Sequence, residues 1–164
     1  MRRIFFAMIL AVACATSAAA DTYEDAVSTY DRGDFALAAR LFRPLAEQGN
    51  EWAQYHLAGM YRDGQGVPQD YQEALKWYRL AAEQGNAWAQ YHLAGMYRDE
   101  QGVPQDFVRA HMWLKIAAAA LSGDDEKEAI KQRDDVASRM TAAQIEKARE
   151  MAWRCQESKF KECD

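Results

Sequence analysis

Past its first twenty residues this chain has no apolar stretch long enough to cross a bilayer as a helix, which excludes an integral helical membrane protein. It has no cluster of lysine and arginine either. The 20 basic residues stand against 25 acidic ones, for a net charge of -5. Nucleic acid and anionic membrane both demand concentrated positive charge, so neither is expected as a partner. Catalytic signatures are missing as well: there is no HExxH, GxSxG or phosphate loop, and the GQG at 64–66 falls far short of a dinucleotide fingerprint. No catalytic residue and no cofactor are expected. Cysteine is scarce, with three in 164 residues and no CxxC, which argues against redox catalysis.

The apolar residues that are present open the chain. Arg2 and Arg3 form a basic start, residues 4–15 an apolar core too short for a permanent anchor, and Ala18, Ala19 and Ala20 a small-residue cleavage site. Residues 1–20 therefore read as a removed signal peptide. Lipidation at Cys14 is the alternative, although Ala11 stands where a lipobox wants Leu, Val or Ile. Removing the segment deletes two of the 20 basic residues, and 18 minus 25 gives a mature net charge of -7. The expected location is periplasmic or secreted, in a bacterium. Cys155 and Cys163 then remain as an even pair, and an oxidising compartment favours a disulfide between them over two unpaired thiols on a frayed tail.

The strongest positive signal is internal repetition. WAQYHLAGMYRD at 52–63 returns unchanged at 88–99, and over 51–86 against 87–122 roughly 22 of 36 positions are identical. The second half of the unit also occurs earlier, because DFALAARLFRPLAEQGN at 34–50 aligns with DYQEALKWYRLAAEQGN at 70–86. A period of this length predicts an all-α fold, a right-handed α-solenoid of antiparallel helix pairs with a C-terminal helical cap. The expected divisions are an abbreviated first helix pair at 21–50, repeat two at 51–86, repeat three at 87–122, capping helices at 123–157 and a tail at 158–164.

Within a unit, Ala53, Leu57 and Tyr61 recur at helical spacing and predict helix A near 51–63, entered from a Gly49-Asn50 stop-and-cap. Gly64, Gly66 and Pro68 end it, and Asp70 with Glu73 begins helix B over about 70–84, whose inner face holds Ala74, Trp77, Tyr78, Ala81 and Ala82. In the third unit Glu100 replaces Gly64, which leaves Gly102 as the glycine expected to make the turn, and helix B loses its EQGN ending and runs on as AAAALSGDD. A charged helix near 125–138 should follow, then a last helix opened by a Thr141 and Gln144 capping box with Met140 stapled onto Ile145, and with Ile145, Ala148, Ala152 and Cys155 facing inward.

These residues resemble a known family. Ala53, Leu57, Ala58, Tyr61, Gly64, Gly66, Val67, Asp70, Ala74, Trp77, Ala81, Ala82 and Gly85 are similar to the Sel-one-like repeat, a cousin of the tetratricopeptide repeat. The third unit repeats the pattern through Ala89, Leu93, Tyr97, Gly102, Val103, Asp106, Ala110, Trp113, Ala117 and Ala118. The chain departs from the family in carrying Ala58 and Ala94 where Gly often stands and in the short DRGDF loop between Tyr30 and Phe35, and it lacks the cysteine pair that some secreted relatives carry in every repeat. The resemblance implies a protein-interaction scaffold or adaptor with a protein or peptide partner. It also supplies one alternative, an envelope enzyme of β-lactam-hydrolase type, as in cysteine-rich relatives; the charged DDEKEAIKQRDD segment supports a second, an assembly factor docking through its end cap. Three units are few, which leaves room for a weak homodimer through an uncapped end.

If Leu57 and Tyr61 face the stack, 100° per residue puts Trp52, Tyr55, Gly59 and Arg62 on a separate stripe, continued by Trp88, Tyr91, Gly95 and Arg98. Aromatics and Arg are the residue types enriched at binding hot spots, so these eight are the candidate partner-binding residues. The competing reading has the tryptophans, tyrosines and arginines packing between units. His56 and His92 occupy equivalent positions on successive A helices, but roughly 10 Å between units is too far to share an ion, so no metal is expected and both are read as surface residues beside the groove.

Overall fold

The computed structural model describes residues 23–163. Eight helices are described: α1 over 23–31, α2 Phe35–Glu47, α3 Glu51–Asp63, α4 Tyr71–Ala82, α5 Ala87–Arg98, α6 Phe107–Ala120, α7 Gly123–Ala137 and α8 Ala142–Glu157. There is no strand among the described residues. The segment expected to be a signal peptide, residues 1–20, lies outside them, as does Cys14. No described helix is long and apolar enough to cross a membrane.

The junctions repeat as faithfully as the sequence does. Gly49 and Gly85 take positive φ, and Asn50 and Asn86 accept from the amides of Ala53 and Ala89, both at 2.9 Å. Each cap thereby satisfies an amide that the first helical turn leaves without a partner. Between the A and B helices the chain folds back so that the Asp70 amide donates to Tyr61 O and the Asp106 amide to Tyr97 O, each at 2.9 Å.

Glycine is required in this loop at one position more than at the other. Gly64 caps α3 in the left-handed region, and its third-unit counterpart Glu100 adopts the same conformation at φ 58°. The expectation that Gly102 alone would make that turn is therefore corrected: Glu100 keeps the backbone path despite its side chain. At Gly66 and Gly102 the backbone is pressed against the preceding unit. A Cβ on Gly66 would overlap the Phe35 carbonyl at the start of α2, and one on Gly102 would stand 2.7 Å from Tyr71 O at the start of α4.

The apolar faces close into one continuous core in which Phe42, Leu57, Tyr78, Leu93 and Trp113 are fully or almost fully buried among interleaved alanines. Small residues at 74, 81, 82, 110 and 117 let neighbouring helices approach while the aromatics fill the space. Arg43 donates to the Tyr61 hydroxyl and Arg79 to the Tyr97 hydroxyl, the latter at 2.7 Å, so a B helix is tied to the next A helix by the same bond in two successive units.

At the C-terminal end α6 stops at Ala120 and Leu121 is extended, so the helix does not run through LSGDD; α7 starts at Gly123, two residues before the sequence suggested. α6 packs against both α7 and α8. The Thr141 and Gln144 capping box forms, with Ala148, Ala152 and Cys155 buried and Ile145 half-buried. Cys155 and Cys163 are joined as a disulfide, and the residues between them fold back so that the Phe160 ring covers the Gly85 turn.

Candidate partner-binding face

The eight stripe residues project from α3 and α5, and the structure divides them into two sets. At the N-terminal ends of these helices Trp52 meets Tyr55 edge-on, with ring centroids 6.2 Å apart, and Trp88 meets Tyr91 in the same way at 6.5 Å. Trp52 keeps 42 % of its surface exposed and Trp88 is half-buried. A cavity of about 380 Å³ lies between them, lined by Glu51, Trp52, Asn86, Trp88, Leu121 and Asp125 among others. Half-buried and exposed aromatics in repeated edge-to-face pairs present large apolar area at low entropic cost.

At the C-terminal ends the arginines are already engaged. Arg62 grips Asp63 through two hydrogen bonds of 2.8 Å and reaches across to His92 Nδ1 at 2.8 Å. Arg98 repeats the clasp on Asp99, with two bonds of 2.7 Å, and donates to Gln132 on α7 at 2.5 Å. Gln132 in turn donates to the Tyr91 hydroxyl. Each arginine therefore joins one A helix to the next, with α7 standing in for a further A helix. The clasps hold Asp63 and Asp99 below the usual carboxylate range, chiefly through the hydrogen bonds from Arg62 and Arg98. Around Arg98 a smaller cavity of about 260 Å³ remains, bordered by Arg62, Tyr91, Gly95 and Gln132.

The glycines differ as well. A Cβ on Gly59 would touch the Tyr78 hydroxyl at 3.4 Å, whereas one on Gly95 would meet nothing within 4 Å. Gly59 thus accommodates Tyr78 beneath α3, and Gly95 leaves open space on α5.

The histidines are not the surface residues the sequence suggested. His56 stacks on Phe42 at 4.9 Å with the ring planes 8° apart, and His92 stacks on Tyr78 at 5.4 Å. Burial and the facing Arg62 guanidinium push His92 down to about 4, and burial pushes His56 down too, so both rings are neutral near pH 7. Among the described residues no three His, Cys, Asp or Glu side chains gather at a metal-binding distance.

Several contributors escaped sequence reasoning. Gln132 is invisible because α7 does not continue the repeat. The tetrapeptide Ser158 to Lys161 has the SxxK form of serine hydrolases that act on β-lactams. Its hydroxyl donates to Cys155 O at 2.9 Å and accepts from the Lys161 and Glu162 amides at 3.2 and 3.0 Å, which makes it the terminal turn of α8. A further pair, Gln54 and Gln90, is buried at the unit junctions, donating to Ala46 O at 3.0 Å and Ala82 O at 3.1 Å. Identical residues at 36-residue spacing were the available signal, and their burial was not.

Comparison with known proteins agrees with this architecture. The family described as Sel1 repeat matches residues 28–50, 53–86 and 89–120. Among solved structures the chain is similar to c5321, a protective antigen of uropathogenic Escherichia coli strains displaying an SLR fold, at 27 % identity and a TM-score of 0.78 over 87 % of this chain. It is also similar to a Sel1 repeat protein from Oxalobacter formigenes, at 40 % identity and a TM-score of 0.51 over 52 % of this chain. The chain spans 31 % of the first protein's length and 25 % of the second's. No curated protein matches it.

Proposed function

The chain belongs to the Sel1 repeat family, and from that premise we propose that it is an exported scaffold that binds a protein or peptide partner along the concave face formed by its A helices. Proteins of this family are commonly protein-interaction scaffolds. The observation that carries the choice of face is the repeated Trp52–Tyr55 and Trp88–Tyr91 pair, exposed at Trp52 and half-buried at the other three rings, beside an open cavity. Arg62 and Arg98 serve this face by setting the spacing of the A helices, and the open backbone at Gly95 leaves room for an extended segment. Export is supported by the Cys155–Cys163 disulfide and the signal-like start of the sequence.

The test is affinity capture from a bacterial envelope extract with the parent and with a Trp52→Ala, Trp88→Ala variant whose helical circular dichroism matches it. A partner retained by the parent and lost by the variant is the expected result. Equal capture by both would refute the assignment of the face.

A further inference from the structure

Where the solenoid gives way to its cap, the repeat's own bonding rule is broken. Residues 43 and 61, then 79 and 97, are Arg–Tyr pairs eighteen apart that bond a B helix to the next A helix. The next pair in that register is Lys115 on α6 and Arg133 on α7. An arginine and a hydroxyl acceptor have become two cations. In the same third unit the position of Leu75 is taken by His111, which is 4 % exposed. Its ring Nδ1 is buried without a hydrogen-bond partner.

These changes surround a cavity of about 280 Å³ between α6, α7 and α8, lined by His111, Lys115, Arg133, Asp134, Ala137, Ile145 and Arg149. Three cations and a buried histidine face one carboxylate, in a protein whose net charge is -5. That carboxylate, Asp134, is bound to Arg133 at 2.7 Å, and Arg149 pairs with Glu146 along the outside of α8 at 2.7 Å. Lys115 makes no ion pair among the described residues. The lining therefore keeps a net positive charge with Lys115 unpaired, which an anion from outside the chain would complement.

We infer that this cavity is a binding site for a small divalent oxyanion, held by Lys115, Arg133 and Arg149 and hydrogen-bonded by the buried His111 ring. Burial and then the charges of Arg133, Arg149 and Lys115 keep the His111 ring neutral, so it offers a single N–H to the anion. Phosphate and a short dicarboxylate share the required charge and acceptor geometry. Guanidinium groups bind both in bidentate fashion.

Isothermal titration calorimetry on the full mature protein, with inorganic phosphate in one arm, malonate in the other and chloride at matched ionic strength as reference, reads the site directly. Saturable binding of phosphate or of malonate is expected, and the tighter of the two identifies the head group. Arg133→Tyr, which restores the residue of the earlier units, and Arg149→Gln on the exposed side of α8 should each weaken binding about tenfold or more. Lys127→Gln removes an equal charge from an exposed place outside the cavity and should leave affinity unchanged. No saturable heat with either anion, or equal weakening by Lys127→Gln, would overturn the inference.

Discussion

Gly64 and Gly66 lie in one loop, both have positive φ, and they should respond very differently to an added methyl group. At Gly64 the nearest atoms to an alanine methyl group belong to Gln69, whose Cβ is 3.3 Å and whose backbone N is 3.5 Å from the new atom. Its cost is the left-handed conformation, about 1–2 kcal/mol, reduced by the roughly 0.4–1 kcal/mol that a less flexible unfolded chain returns, for a net of about 1 kcal/mol. At Gly66 the same terms apply, and the methyl group also collides with backbone at Phe35 and Ala36, which no side-chain rotation relieves. Forcing the loop off α2 adds the roughly 1–3 kcal/mol typical of overpacking, for a total of about 3 kcal/mol. Urea unfolding followed by far-ultraviolet circular dichroism measures both, and at about 3 °C per kcal/mol the melting temperatures should fall by roughly 10 °C for Gly66→Ala and 3 °C for Gly64→Ala. Equal losses, or a larger loss at Gly64, would refute the argument that contact with the preceding unit, and not φ alone, fixes glycine at 66. The chain holds its own control in Glu100, which sits at the Gly64 position of the next unit with φ 58°.

Two further outcomes follow from the junctions and the histidines. Gln84 donates to Gln54 Oε1 at 2.7 Å, but its counterpart is Ala120 and the buried Gln90 Oε1 has no partner, so Ala120→Gln should stabilise the protein by about 1 kcal/mol in urea unfolding; no gain would show that the acceptor is satisfied otherwise. His92 is pushed from 6.5 down to about 4, so as pH falls the unfolded chain takes up a proton before the folded one does; the stability this contributes is complete above about pH 6.5 and is lost toward pH 4. The loss approaches about 3 kcal/mol at most, since one pKa unit corresponds to about 1.4 kcal/mol, and His92→Gln should flatten the acid limb of a stability profile between about pH 6.5 and 4, leaving the slope due to His56, His111 and, at its acid end, the clasped Asp63 and Asp99. An unchanged slope would remove His92 from the account.

Helix identity was legible because it depends on local signals that the sequence states twice. The Asn caps, the EQGN turns and the Ala, Leu and Tyr spacing each arise within one unit, and duplication repeats them at 36 residues. What was illegible depends on the neighbour. Gly66 and Gly102 look like ordinary turn glycines until Phe35 and Tyr71 are found against them. Glu100 looked incapable of its turn because residue type suggests a φ preference, whereas it takes the left-handed φ of Gly64 all the same.

The candidate face shows the same division more sharply. Solenoid geometry sets which residues share a stripe, so Trp52, Tyr55, Gly59 and Arg62 could be grouped from spacing alone. Which of them remain available to a partner depends on what the next unit extends toward them. His92 and Gln132 reach into the arginine end from α5 and α7, and only the structure reveals that. Where the repeat is exact the arginine clasp is identical, and where it fails the replacement is chemically informative. Gln132 preserves the clasp with a different side chain, whereas Lys115 and Arg133 abolish the Arg–Tyr bond and leave a cation-lined cavity. In a duplicated chain each earlier unit is the reference for the next, so a change that removes a repeated bond without replacing it marks a place where the side chains do not serve the stack.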